Sequence, residues 1–198
     1  MISLYIKKID GVGFGVASDE EKVFATTFGF NKETMLRNLL RSIPYNVPFQ
    51  HLEKASPLAE HVMALLRDIC DGKDGSPRFH LAINHLSGYA RRVVKTVSLV
   101  PVGYVTFYGS VAKAAGGGPR AVGSVMASNP FPLIVPCHRV VRSDFKLGGY
   151  GGGVNVKLEI LKRESRGHAS RREIPVGNKK LSIFPVEFVL KRLEKGKR

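Results

Sequence analysis

The chain has 198 residues, 43% of them hydrophobic, enough to build one domain or two small ones around a real core. No run of about 18 apolar residues occurs, so no membrane helix is implied, and two cysteines in unrelated contexts exclude a disulfide framework and suggest reduced cytosolic thiols. The net charge of +15 is unevenly placed: residues 1–80 hold ten Lys/Arg and ten Asp/Glu, residues 81–164 eleven and three, residues 165–198 ten and three. A neutral first part joined to a basic remainder reads as a scaffold attached to a polyanion-binding part, with nucleic acid the foremost polyanion.

The N-terminus, Met1 to Lys8, lacks the basic-then-apolar order of a secretory signal, which fits a cytoplasmic protein. Ser3–Ile9, Gly13–Ala17 and Lys22–Phe28 read as strands of a small antiparallel sheet, with Asp10-Gly11 and Ser18–Glu21 as turns. Asn31 can cap a helix reaching Ile43, stopped by Pro44, and Pro57 can open a second that ends at Gly72. Cys70 closes that second helix as a core or near-surface thiol. Arg78–Asn84 reads as a further strand. Tyr89–Val97 reads as a helix with Arg91, Arg92 and Lys95 on its polar side.

Two short helices come next, Tyr108–Ala115 and Arg120–Ala127, joined by Gly116-Gly117-Gly118 and Pro119. This pattern fits a helix-turn-helix. Val122, Val125 and Met126 point inward on the second helix, leaving Arg120, Ala121, Gly123, Ser124 and Ala127 outside. Small residues there let a backbone approach a nucleic-acid groove closely.

Phe131–Val135 is an apolar run suited to a buried strand or inner segment, and it leads into Pro136-Cys137-His138-Arg139 and then Val140-Val141. A thiol has a pKa of about 8.5, and His138 or Arg139 could lower it. Lowering it by about 1.5 units raises the thiolate fraction roughly 16-fold, but reduced nucleophilicity takes back about 5-fold. Most of any advantage of Cys137 as a nucleophile must therefore come from positioning the electrophile. Gly148–Gly153 places five glycines around Tyr150, a loop able to bend closely round a ligand. Asn155–Glu164 reads as a helix with Glu159 and Glu164 as its acids, either of which could orient a histidine. In the tail, Ser165–Lys180 reads as a basic linker and Ile183–Leu193 as a helix packing back on the protein.

Pro136-Cys137-His138-Arg139-Val140-Val141, with Arg120-Ala121-Val122-Gly123 and Asn129-Pro130 upstream, resembles the O6-alkylguanine-DNA alkyltransferases. The resemblance covers residues 88–164, with 1–80 similar only in outline. It implies an α/β (α+β) chain in three parts. Residues 1–80 would be an antiparallel sheet-and-helix domain of ribonuclease-H-like outline. Residues 81–164 would be a mainly helical DNA-binding and alkyl-transfer domain, and 165–198 a basic extension.

The resemblance also implies roles. Cys137 would accept the alkyl group, with His138 acting through a water as base and Glu164 orienting it. Tyr108 would protonate the leaving guanine and Asn129 would hold the loop around Cys137. Arg120 would fill the gap left by a flipped nucleotide, from the minor-groove side, with Tyr108, Ala121, Gly123 and Ser124 at the DNA and Arg91, Arg92 and Lys95 on phosphates. Val140, Tyr150, Gly151 and Met126 would line the base pocket, Gly151 standing where many relatives carry a side chain, often serine. No cofactor or metal is implied. The expected partner is double-stranded DNA containing alkylated guanine, met by a monomer at the nucleoid. The alternatives are a non-catalytic lesion binder, which would lack the acceptor cysteine, and a cysteine hydrolase, for which His85 is the only nearby histidine.

Overall fold

The computed structural model describes residues 1–75 and 77–195, and these divide into two compact units. The first contains 1–70, 75–86 and 129–134, and the second contains 71–74, 87–128 and 135 onward. Among the described residues no helix is long and apolar enough to cross a membrane.

The first unit is a five-stranded sheet with two helices. Its strands are β1 (Ile2–Ile9), β2 (Val12–Ser18), β3 (Lys22–Gly29), β4 (Phe49–His51) and β5 (His80–Leu81), in the order β4-β1-β2-β3-β5. The three long strands form an antiparallel meander, and each short edge strand adds in parallel. The Asp10-Gly11 turn has both residues at positive φ, 49° and 86°, the conformation that a tight hairpin with right-handed strand twist requires. Helix α1 (Lys32–Ser42) is capped by Asn31, whose side chain accepts from Thr34 N, and α2 (Pro57–Cys70) begins on its proline. Glycine at 15 lets α1 approach the sheet: a Cβ there would stand 3.3 Å from Leu39 Cδ1 and 2.8 Å from Thr27 Cγ2. Ile2, Leu4, Ala17, Ala25 and Leu39 form the core.

Asn129–Ile134 folds with this unit rather than as a strand of the second. Thr26 of β3 donates from its N–H to Pro130 O and from its hydroxyl to Pro132 O, at 2.8 and 3.1 Å. Pro130 and Pro132 carry no N–H, and Leu133 has φ 72°, so of the two expectations for 131–135, a buried strand or an inner segment, the inner segment holds. The segment is buried but irregular.

The second unit holds α3 (Gly88–Val97), β6 (Tyr104–Phe107), α4 (Tyr108–Ala115), α5 (Pro119–Ala127), a 3-10 turn over Cys137–Arg139, β7 (Val140–Val141) and α6 (Val154–Glu164). The tail adds β8 (Arg172–Val176), β9 (Lys179–Pro185) and α7 (Val186–Lys195). The tail therefore departs from the expected linker and helix. Leu181, Ile183 and Pro185 alternate inward with half-buried Ser182 and Phe184, a two-residue period that makes 179–185 a strand and delays the helix to Val186. The second sheet has the order β7-β6-β9-β8, with β6 pairing in parallel to β7 and antiparallel to β9. Val186 and Val189 of α7 lie fully buried with Val105, Val141, Leu147 and Leu161, so the tail completes this core. Phe184 stacks on Phe107 with ring centroids 4.4 Å apart.

Candidate active site

Cys137 opens the 3-10 turn between the buried Val135-Pro136 and β7, and its thiol is buried. His138 and Glu164 are both completely buried, and His138 Nε2 lies 2.9 Å from Glu164 Oε1. An ionised carboxylate only accepts, so Nε2 carries the proton and the neutral ring presents Nδ1 as an acceptor. Nδ1 is buried with no hydrogen-bond partner among the described residues. The imidazole is thus held as a base whose lone pair faces away from its orienting acid. Glu159, the other candidate acid, is exposed and pairs with Lys162 at 2.8 Å.

Arg139, one of the two candidate cations for the thiol, is tied to Glu164 and Val100. Its Nε lies 3.0 Å from Glu164 Oε2, Nη2 lies 2.8 Å from Oε1, and Nη1 donates to Val100 O at 2.6 Å. Burial opposes ionisation of Glu164, but His138 and Arg139 overcome it and hold the carboxyl at about 2. Burial pushes His138 below its ordinary 6.5; Glu164 opposes this, while Arg139 and Lys157 add to it. The ring is therefore neutral at physiological pH.

Both shifts make the fold acid-sensitive. Neutral buried His138 contributes stability that is lost as pH falls below 6.5, and ionised Glu164 contributes stability lost between 4.5 and about 2. The Glu164 part amounts to about 3 kcal/mol. Thermal melts across pH 8 to 2 are expected to show the melting temperature falling through both windows, and Glu164→Gln is expected to flatten the lower one.

Sequence reasoning missed Lys157. It is fully buried, and its ammonium donates to Val140 O and Leu147 O, each at 2.7 Å, joining β7 to the start of the glycine-rich loop. Burial lowers its pKa to about 8, opposed by attraction to the Cys137 sulfur, so it is largely cationic at neutral pH. The missed signal was spacing: Lys157, Ile160, Leu161 and Glu164 fall at i, i+3, i+4 and i+7, one buried stripe with a charge at each end. Lys157→Met removes the cation and takes a donor from each of Val140 O and Leu147 O. A one-unit rise in thiol pKa costs roughly tenfold in thiolate and returns about threefold in nucleophilicity. Labelling of Cys137 by iodoacetamide at pH 7, followed on its tryptic peptide, is expected to slow roughly threefold.

Tyr108 opens α4 directly after β6, and burial and then the Cys137 sulfur raise its pKa, keeping the phenol a proton donor. A Cβ on Gly148, which has φ 72°, would stand 3.6 Å from the Tyr108 hydroxyl, so the loop lies against that ring. The Tyr150 ring centroid is 6.0 Å from Lys157 Nζ. Of the other expected pocket residues, Val140 and Met126 are buried, while Gly151 is exposed with open space where a Cβ would be. Asn129 belongs to the first unit, where its side chain accepts from Phe131 N at 3.0 Å and shapes the turn at Pro130. His85 also belongs to the first unit and is exposed.

α4 and α5 form the expected helix pair. Gly116 and Gly117 turn the chain at φ 82° and 99°, and a Cβ on Gly117 would meet the Tyr89 ring at 2.7 Å. Arg120, Ala121 and Ser124 are exposed on α5, and nothing lies within 4 Å of a Cβ at Gly123. On α3, Lys95 is exposed and Arg91 half-buried. Arg92 is exposed, and its Nε donates to Ala115 O at 2.9 Å, satisfying the C-terminal end of α4.

Residues 88–166 match the family described as 6-O-methylguanine DNA methyltransferase, DNA binding domain. A methylated-DNA–protein-cysteine methyltransferase of Methanothermobacter thermautotrophicus is 46% identical over 89 residues, covering 43% of this chain and 51% of that protein. The chain thus matches about half the length of this relative. The crystal structure of O6-methylguanine-DNA methyltransferase from Pyrococcus kodakaraensis aligns with TM-score 0.61 at 28% identity, covering 83% of this chain and 99% of that one. Mycobacterium tuberculosis OGT in complex with DNA aligns with TM-score 0.64 at 25% identity, covering 82% and 92%. Residues 88–166, which carry the helix pair, Cys137, His138 and Glu164, are similar to the 6-O-methylguanine DNA methyltransferase family.

Proposed function

We propose that this protein repairs DNA by moving the alkyl group of an O6-alkylguanine onto Cys137, once per molecule. The observation that carries the reading is the arrangement at His138: Nε2 is committed to Glu164, and Nδ1 is a buried acceptor with no partner among the described residues, next in sequence to the thiol. Neighbouring side chains seldom point the same way, so the thiol proton passes to Nδ1 through a water. The sulfur attacks the alkyl carbon, the carbon–O6 bond breaks, and its electron pair leaves on the purine. The Tyr108 phenol supplies the proton that the leaving guanine takes up. The thioether has no route back to a thiol, so the protein acts stoichiometrically.

The target atom is inside the base stack, and the nucleotide must be extruded at a cost of a few kcal/mol. Exposed Arg120 is suited to fill the gap, and the small outer face of α5 suits docking in the minor groove, where poor sequence readout fits a lesion occurring in any context. Arg91, Arg92 and Lys95 supply phosphate contacts. Val140, Tyr150, Gly151 and Met126 wall the base site, and Asn129 shapes the chain ahead of Cys137. The protein acts as a monomer on double-stranded DNA, at the nucleoid in the cytoplasm.

Titrating the protein against a duplex with one O6-methylguanine tests this. Guanine should be restored until the protein is consumed, with a plateau of one lesion per protein molecule. Continued turnover past that plateau, or tight binding with the lesion intact, would remove the reading.

A further inference from the structure

We propose that Glu187, in the tail beyond the family match, is a positioning residue for the Cys137 site, acting through the end of α6 on the Glu164 carboxylate. Its Oε1 accepts from Ser165 Oγ at 2.8 Å, from Arg166 N at 3.0 Å and from Gly167 N at 2.6 Å. These are the three residues directly following Glu164, the last residue of α6. Three donors converging on one carboxylate oxygen fix both the position and the direction of the chain there. The other oxygen is buried with no partner among the described residues.

Glu187 is itself fixed from the opposite side. It lies in the first turn of α7, where Val186 N donates to Gly103 O at 2.9 Å and Val186 is completely buried. β9, immediately before it, pairs Tyr104, Val105 and Thr106 of β6 with Pro185, Phe184 and Ile183, and Thr106 Oγ1 donates to Ser182 O at 2.8 Å. Thr106 and Phe107 in turn pair with Val140 and Val141, directly after Cys137-His138-Arg139. The tail therefore grips the site from both ends, through β7 on the thiol side and through Ser165–Gly167 on the carboxylate side. A Glu164 that drifts on its helix end stabilises the His138 imidazolium less, so the thiolate forms only at higher pH.

The inference rests on the alkyl-transfer reading for its biological meaning, but its test does not need DNA. Cys137 labelling by iodoacetamide is followed across pH 5 to 10 in the full-length protein, with melting temperature alongside. In Glu187→Ala the midpoint of labelling should rise by about half a unit to one unit, and labelling at pH 7 should fall two- to fivefold. Glu187→Gln keeps an acceptor oxygen of the same reach and should recover most of the shift. A midpoint unchanged in Glu187→Ala, or equal shifts in both variants, would overturn the proposal. Methyl transfer from O6-methylguanine DNA is measured on the same proteins. A shifted midpoint in a parent that transfers no methyl keeps the Glu187 assignment and sinks the repair reading alone.

Discussion

Glu164→Ala is expected to lower the unfolding free energy by about 3–5 kcal/mol and to reduce alkyl transfer severely. The carboxylate is the common acceptor for His138 and Arg139, and all three side chains are buried. Removing it leaves a guanidinium charge in the core with Val100 O as its remaining acceptor among the described residues, and takes from the Nε2 proton of His138 its acceptor. The ring loses both its tautomer and the partner that stabilises its charged form. Denaturant titration gives the stability change, and single-turnover transfer at several pH values gives the chemical one. Glu164→Gln separates the two effects. It fills the same volume and keeps one acceptor for His138, so it should recover part of the stability while transfer stays low, because a neutral amide stabilises imidazolium poorly.

Cys137→Ser is expected to abolish transfer while leaving the fold and DNA affinity unchanged. A hydroxyl is close in size, so the buried 3-10 turn should accept it. Its proton is far too tightly held for a neutral imidazole to remove. The α5 face and the basic residues of α3 do not depend on the sulfur. Fluorescence anisotropy with a lesion-bearing duplex should therefore give the parent's dissociation constant, and a salt titration the parent's slope.

Much of this architecture can be read from the chain. Asn31, Pro57, Ser87 and Pro119 mark helix starts, and three consecutive glycines mark the turn between α4 and α5. What escaped has physical causes. β6 is four residues of buried strand, Tyr104–Phe107, whose partners β7 and β9 lie far away in sequence. Nothing local announces such a strand. In the tail, an inward alternation through Leu181, Ile183 and Pro185 runs straight into the helical spacing of Val186 and Val189, and the longer-period pattern hides the boundary. Arg139 and Lys157 are long basic side chains in a strongly basic stretch, where a surface position is the common outcome. The core accepts them because each finds buried acceptors: Glu164 and Val100 O for the arginine, Val140 O and Leu147 O for the lysine. Glu187 has the same history, since its partners, the Ser165 hydroxyl and two backbone N–H groups, lie about twenty residues earlier.

The most direct measurement is peptide mapping by mass after incubation with a duplex containing O6-methylguanine. The predicted result is one added methyl group on the peptide containing Cys137, none on the peptide containing Cys70, and an equimolar amount of restored guanine in the DNA. Restored guanine with an unmodified Cys137 peptide, or a methyl group placed on any other residue, would contradict the account.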